Sequence, residues 1–220
     1  MFIGHFAIGF AAKKIEPKVS LGTYFIAVQL ADLLWPFLLL LGVEEVVIAP
    51  GITAVTPLDF VSYPISHSLA TMVLWAALFG FFYKLTSKNI RGGWIVAICV
   101  VSHWVLDWIT HRPDMPLFPG NSPLLGLGLW HSVLWTEIVE LSIFGAGVFL
   151  YAKTTNALNK KGSIGLWSLV IFFLVINVAN LIGPPPPSVD AITWSAMLQW
   201  LFVIWAFWID RNREIVRAQT

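Results

Sequence analysis

The sequence predicts an all-α membrane protein, a single polytopic bundle of about seven helices. Of its 220 residues, 58% are hydrophobic and only 11% are charged, and the mean hydropathy is +0.79. A soluble domain is about half apolar and about a quarter charged, so this composition indicates a membrane protein. The length suits one domain, 1–220, and the net charge of +1 gives no reason to expect nucleic acid as a partner.

Seven apolar segments can be marked along the chain. Most approach the roughly 20 residues that a membrane-spanning helix needs. The first is too short to span alone, and we expect it to extend part-way or to lie against the bundle. The alternative is six spans with an interfacial first helix. The segments are 2–12, 20–43, 66–85, 92–111, 125–152, 164–182 and 191–209.

Basic residues alternate between the connections. They follow segments one, three, five and seven, whereas 44–64 and 183–190 have none and 111–124 has only Arg112. Because lysine and arginine favour the cytoplasmic side, we expect the N-terminus outside and the C-terminus in the cytoplasm, in a bacterial inner (plasma) membrane. The alternating residues are Lys13, Lys14, Lys18, Lys84, Lys88, Arg91, Lys153, Lys160, Lys161, Arg211, Arg213 and Arg217.

Segment four ends in Ser102-His-Trp-Val-Leu-Asp-Trp-Ile-Thr-His111. His103, Asp107 and His111 are spaced i, i+4, i+8, so on a helix they form one narrow stripe. Two imidazoles and a carboxylate in one line are a ligand set for a divalent metal. The alternative is that Asp107 neutralises a histidine or caps a loop.

Segment two carries Asp32 near the middle of the membrane. An intramembrane carboxylate is expected to face the bundle interior and to find a partner there. We interpret it as a metal ligand or a general base. The alternative is a buried acid hydrogen-bonded to His5 or Gln29. Pro36 follows in the same segment and is expected to bend the helix just beyond it.

Segment three opens with Ser66-His67-Ser68. Either serine can cap the helix, and both are candidates for contact with a substrate. A histidine at a helix N-terminus is well placed to contact an anion or a metal. The alternative is a solvated end residue. With His5 at the start of segment one and His131 near the start of segment five, the predicted topology places all five histidines on the outer side.

Four other polar residues are candidates for the site. Arg112 could hold a phosphate, or it could pair with Asp114. Glu137 and Glu140 are i, i+3 neighbours in segment five; Glu140 is the better inward-facing candidate, with Glu137 as its protonated neighbour. His131 is the weakest of the histidine candidates and is expected at the membrane interface.

The order of these residues resembles a known group. It is similar to the bacterial membrane-bound metal-dependent hydrolase family (the YdjM-like group), thought to be distantly similar to zinc-dependent phospholipase C and the S1/P1 nucleases. The resemblance covers roughly the first 120 residues and is strongest over 102–117. Its motifs here are Gly4-His5, Asp32, Ser66-His67-Ser68 and His103-x-x-x-Asp107.

The resemblance implies that His5, Asp32, His67, His103 and Asp107 are metal ligands. The chain departs from the family in segment two, where Pro-Asp-x-Asp is replaced by Ala-Asp-Leu-Leu over 31–34. The missing second acid puts a multinuclear site in doubt. A weaker resemblance is to PAP2-type acid phosphatases, but these need lysine and arginine around the phosphate, and the outer side offers only Arg112.

Together these observations predict a metal-dependent hydrolase that acts at the outer face on a lipid or lipid-linked (phospho)ester. The expected cofactor is a divalent metal, most plausibly zinc, which would activate water and polarise the ester. Its expected first ligands are His67, His103 and Asp107, with His5, Asp32 and His111 as further ligands or their supports. Asp32 or Glu140 is the expected general base. A transporter, a metal-binding protein without hydrolase activity and a scaffold protein are the alternatives.

Overall fold

The structure is a computed structural model, and it describes residues 1–216; Arg217, in the last predicted cytoplasmic group, lies outside the described residues. The chain is mostly helical, as predicted, with 66% of its residues in helices. The helices are α1 Ile3–Ile15, α2 Leu21–Val28, α3 Leu30–Leu40, α4 Leu69–Ser87, α5 Ile90–Thr110, α6 Val133–Thr154, α7 Lys160–Ile182, α8 Val189–Met197 and α9 Gln199–Arg211.

Within the described residues, five stretches are long and apolar enough to cross a membrane: α4, α5, α6, α7 and the joined α8–α9. The pair α2–α3 is a sixth candidate, bent by 55° at its break. This confirms a multi-pass helical membrane protein. The number of helices long enough to span is lower than the predicted number of about seven. The 13 residues of α1 extend only about 20 Å, whereas the hydrocarbon core of a membrane is about 30 Å thick.

Helix α1 lies inside the bundle, where it contacts α2, α5 and α6. Phe6 and Phe10 on its buried face pack against Phe25, and Phe6 also stacks on Phe173. Gly147 lets α6 approach α1 closely, since a Cβ at that position would lie 2.4 Å from the Ala7 carbonyl oxygen. The short first segment is therefore a buried core helix, and it carries His5 into the interior.

The bend in segment two falls at Gln29, where φ is −112° and ψ is 10°, and not beyond Pro36 as expected. Helix α3 continues through Pro36. The Gln29 side chain donates a hydrogen bond to Gln199 Oε1 at 2.9 Å, so a contact between distant segments holds the break. As a result, Asp32 lies in the first turn of α3.

Three short antiparallel strand pairs, which the sequence analysis did not predict, lie outside the helices: two are hairpins within one connection, and the third joins the α6–α7 connection to the residues after α9. They are β1 Glu45–Ile48 with β2 Leu58–Ser62, β3 Met115–Pro116 with β4 Leu124–Leu125, and β5 Thr155–Ala157 with β6 Arg213–Ile215. The first is rich in β-branched and aromatic residues, which fit a pleated, half-buried surface.

The basic connections gather at one end of the bundle. Arg91 pairs with Glu16 at 3.6 Å, and Lys13 pairs with Asp210 at 2.9 Å. Arg213 donates to the Thr155 carbonyl at 2.8 Å, which ties the end of α6 to the residues after α9. Parts of the basic-poor connections, including 50–58 and 183–186, line a common cavity together with the N-terminal residues.

Candidate metal centre

Four of the predicted ligands converge from three parts of the chain. Asp32 comes from α3, His67 from the turn before α4, and His103 and Asp107 from successive turns of α5. The His67 Nε2 atom lies 3.4 Å from Asp32 Oδ1 and 3.9 Å from Asp107 Oδ2. The His103 Nε2 atom lies 3.7 Å from the same Asp32 oxygen and 3.0 Å from the same Asp107 oxygen.

Ligand atoms of Asp32, His67 and His103 all lie within 4.8 Å of one another, so these three can share one ion. Two atoms bound to zinc at about 2.0–2.1 Å in tetrahedral geometry lie about 3.3 Å apart, and the four measured distances run from 3.0 to 3.9 Å. His103 Nε2 is buried and makes no hydrogen bond within the described residues, although Asp107 Oδ2 is so near. Atoms that point at a common centre, and not at each other, have this arrangement. The residues therefore fit a divalent cation.

The orientation of the His103 ring is set by the backbone. Its Nδ1 atom lies 2.7 Å from the carbonyl oxygen of Val28. A carbonyl only accepts, so Nδ1 carries a proton and Nε2 is the atom that faces the two carboxylates. Contacts of this kind orient the histidine ligands of metal sites. Val28 ends α2, so the unpredicted break at Gln29 supplies this acceptor.

His67 is oriented by a different route. Its Nδ1 atom lies 2.6 Å from Ser66 Oγ, which in turn lies 2.6 Å from Glu44 Oε2. The sequence analysis assigned no role to Glu44 or Val28. Glu44 lies in an irregular connection, where no helical periodicity relates it to the other candidates.

His5 approaches from the other side of Asp107. Its Nε2 atom lies 3.0 Å from Asp107 Oδ1, and its ring stacks on the His103 ring with centroids 3.8 Å apart. The Met1 amino nitrogen lies 2.5 Å from the same Oδ1 atom. Ligand atoms of His5, His103 and Asp107 form a second group within 4.8 Å of one another. His103 thus belongs to both groups, and Asp107 Oδ2 also lies 3.9 Å from His67 of the first group.

His111 lies outside both groups. Its Nδ1 atom is 2.9 Å from Asp114 Oδ1, and the Tyr63 hydroxyl donates to the same oxygen at 3.0 Å. Burial lowers the pKa of His111, and burial together with Asp114 raises the pKa of Tyr63. His111 is therefore favoured as a neutral ring bound to Asp114.

The remaining candidates make structural contacts. Arg112 pairs with Asp59 and, at 3.2 Å, with Asp114 Oδ2, which is the second of its two predicted alternatives. Ser68 caps α4 by accepting from the Thr71 N–H. His131 is exposed, in a short 3₁₀ turn before α6.

The two glutamates of α6 have different partners. Glu140 accepts hydrogen bonds from the backbone N–H groups of Phe2, at 3.1 Å, and Gly4, at 3.3 Å, and so holds the start of α1. Glu137 accepts from Asn177 of α7 at 2.8 Å.

A cavity of about 510 Å³ reaches the metal-binding groups. Asp32, His67, Asp107 and His111 contribute to its wall. The rest of the wall includes aromatic side chains and a run of prolines, namely Trp35, Phe60, Trp130 and Pro184, Pro185 and Pro186. Asp32 is the most accessible of the four convergent ligands, with 25% of its side chain exposed against 4% for Asp107.

A scan against protein-family models found no match, and neither did searches of the curated proteins and of the solved structures. The family resemblance stays a prediction that depends on the motifs. The chain is a multi-span helical membrane protein that contains buried histidine and aspartate groups able to hold a metal ion.

Proposed function

We propose that this protein is a membrane-embedded, metal-dependent hydrolase of lipid or lipid-linked phosphoesters. The observation that carries the proposal is the convergence of Asp32, His67 and His103 within 4.8 Å of one another, with Asp107 3.0 Å from His103, beside a cavity. Two carboxylates and two imidazoles are a ligand set suited to zinc, which is our proposed metal.

A bound divalent ion supplies a Lewis acid and lowers the pKa of water toward neutrality. The protein's part is to hold the ligands and to move the proton. Asp32 is the more exposed of the two carboxylates at the site, so we assign it the role of general base. Glu140 does not suit that role, because its carboxylate accepts hydrogen bonds from backbone N–H groups at the start of α1.

The wall of the cavity favours an amphiphilic substrate. Carboxylates and imidazoles form the polar part of it, and Trp35, Phe60 and Trp130 contribute apolar surface. Its volume of about 510 Å³ falls within the range of about 300–1,000 Å³ common for small-molecule sites. A phosphoester headgroup attached to an apolar chain matches both parts of the wall.

A permeation pathway for metal is less well supported. It requires polar groups that continue from the site toward the opposite end of the bundle. The side chains next to the site along α1 are instead aromatic, since Phe6 and Phe10 pack into a core that includes Phe144 and Tyr151. We therefore favour hydrolysis over transport.

The test is metal analysis of the protein purified in detergent, followed by hydrolysis of a phospholipid in mixed micelles with and without added zinc. We expect about one equivalent of metal in the wild type. His103→Gln should lose most of that metal and of the activity. His131→Gln is the matched control, because His131 is exposed and lies outside the cluster.

Two results would count against the proposal. A wild-type protein that retains no divalent metal after equilibration with zinc would remove the metal centre. A protein that binds metal through His103 but hydrolyses no phosphoester or carboxylic ester lipid would leave a metal-binding membrane protein without hydrolase activity.

A further inference from the structure

We propose that Glu44 is a positioning residue that acts through Ser66 to fix the tautomer of His67, so that Nε2 is the metal-binding atom. The inference rests on the proposed metal centre. The juxtaposition that carries it is a buried chain of three side chains, Glu44–Ser66–His67, that ends beside two carboxylates.

Glu44 is placed for this task by the backbone. It lies between α3 and β1 and is only 4% exposed. Its Oε1 atom accepts from the backbone N–H groups of Ile65 and Ser66, each at 2.8 Å, and its Oε2 atom accepts from Ser66 Oγ at 2.6 Å. A buried carboxylate with three donors is satisfied as an anion.

The count of protons then determines the tautomer. Ser66 has a single hydroxyl proton, and an ionised carboxylate can only accept. Ser66 therefore donates its proton to Glu44, and its oxygen must accept at the 2.6 Å contact with His67. The donor in that contact is Nδ1–H, which leaves Nε2 as the ring nitrogen that can bind a metal.

The consequence falls on the atom that faces the metal-binding groups. His67 Nε2 lies 3.4 Å from Asp32 Oδ1, in the position of a ligand that shares an ion. The opposite tautomer would place an N–H there and would oppose metal binding. At His103 the orienting group is the Val28 carbonyl, a backbone group that substitution does not remove. Glu44 orients His67 through its side chain, so its role can be tested by substitution.

Glu44→Gln is the direct test, because it preserves shape while it reverses the direction of donation. The glutamine oxygen can still accept from the backbone, but its NH₂ group donates to Ser66. Ser66 must then donate to His67 Nδ1, and the proton moves to Nε2. Glu45→Gln is the matched control, since Glu45 is the next residue and is exposed.

The first measurement is the ¹⁵N chemical shift pattern of the His67 ring in metal-free, histidine-labelled protein in detergent, assigned by comparison with His67→Gln. We expect Nδ1–H in the wild type and in Glu45→Gln, and Nε2–H in Glu44→Gln. An unchanged pattern in Glu44→Gln would overturn the inference. This readout needs no bound metal, so it decides the inference even if the metal centre itself fails.

The second measurement is zinc affinity by competition with a chelator. Loss of an orienting contact typically weakens metal binding by about 10–100-fold, and we expect that loss in Glu44→Gln. In a Ser66→Ala background the connection is already broken, so Glu44→Gln should add less than a twofold change. An equal loss in both backgrounds would mean that Glu44 acts through the fold alone and would overturn the inference.

If Glu44→Gln does not fold, Ser66→Ala tests the same chain. The relay predicts that His67 then shows a mixture of the two tautomers, because Nδ1 no longer has an oriented acceptor. A single, unchanged Nδ1–H tautomer in Ser66→Ala would overturn the inference.

Discussion

Asp107 is the residue that contacts histidines of both groups of candidate ligands. One oxygen faces His5 and the Met1 amino group, and the other faces His103 and His67. Its side chain is only 4% exposed. A buried carboxylate of this kind must be paired, because an uncompensated charge in the interior is strongly unfavourable. Removing the carboxylate charge is also unfavourable, because the cationic group that it neutralises is then left unpaired.

Asp107→Asn should therefore destabilise the protein even without metal. The amide keeps the shape but leaves the Met1 amino group without its counter-charge. Breaking a buried ion pair in this way costs about 3–5 kcal/mol. The measurement is the thermal unfolding midpoint in detergent with a chelator present. Asp190→Asn, at an exposed position, is the control, and equal midpoints for the two variants would contradict the expectation.

The spacing rule explains which ligands could be predicted. His103 and Asp107 are one turn apart on α5, and their proximity follows directly from i, i+4 geometry. His111 was expected on the same stripe, but it is the residue that ends α5, with φ −64° and ψ 149°. Its backbone is extended, so its ring leaves the stripe and meets Asp114. Periodicity applies only as far as the helix does.

At the scale of elements, the close contact of α1 with α6 positions His5. A Cβ at Gly147 would lie 2.4 Å from the backbone oxygen of Ala7, and backbone atoms cannot move aside as a side chain can. Gly145, two residues earlier on the same helix, has no heavy atom within 4 Å of an added Cβ. The two glycines therefore have the same helix propensity, but only Gly147 lies against the backbone of another helix.

Gly147→Ala should lower the thermal unfolding midpoint, because overpacking of a close contact costs about 1–3 kcal/mol. Gly145→Ala should leave the midpoint unchanged or raise it slightly, since alanine favours a helix over glycine. Equal shifts for the two variants would mean that the approach of α1 to α6 is not tight.

The break in segment two shows why elements were harder to predict than ligands. Pro36 was the visible breaker, yet the chain bends at Gln29, where a distant residue, Gln199, holds the side chain. Such a contact leaves no local signal. The same holds for α1, which appeared too short to span and proved to be a core helix buried by other segments.

At the scale of the whole molecule, the alternation of charge along the sequence corresponds to two ends of the bundle. The connections rich in lysine and arginine meet through the Arg91–Glu16 and Lys13–Asp210 pairs. The candidate metal centre and its cavity are bordered by connections nearly free of basic residues. If the positive-inside rule holds here, the site faces the non-cytoplasmic side.

Cysteine labelling in intact cells tests this orientation. The native Cys99 is buried and is replaced by alanine in the background. Asn121→Cys, near the cavity end, and Lys161→Cys, at the basic end, are both at exposed positions. Because a membrane-impermeant maleimide reaches only the outer side, it should label the first variant in intact cells and the second only after permeabilisation. Ser87→Cys, at the last residue of α4, should behave like Lys161→Cys. The reverse pattern would place the site on the cytoplasmic side and would require a substrate from the inner leaflet.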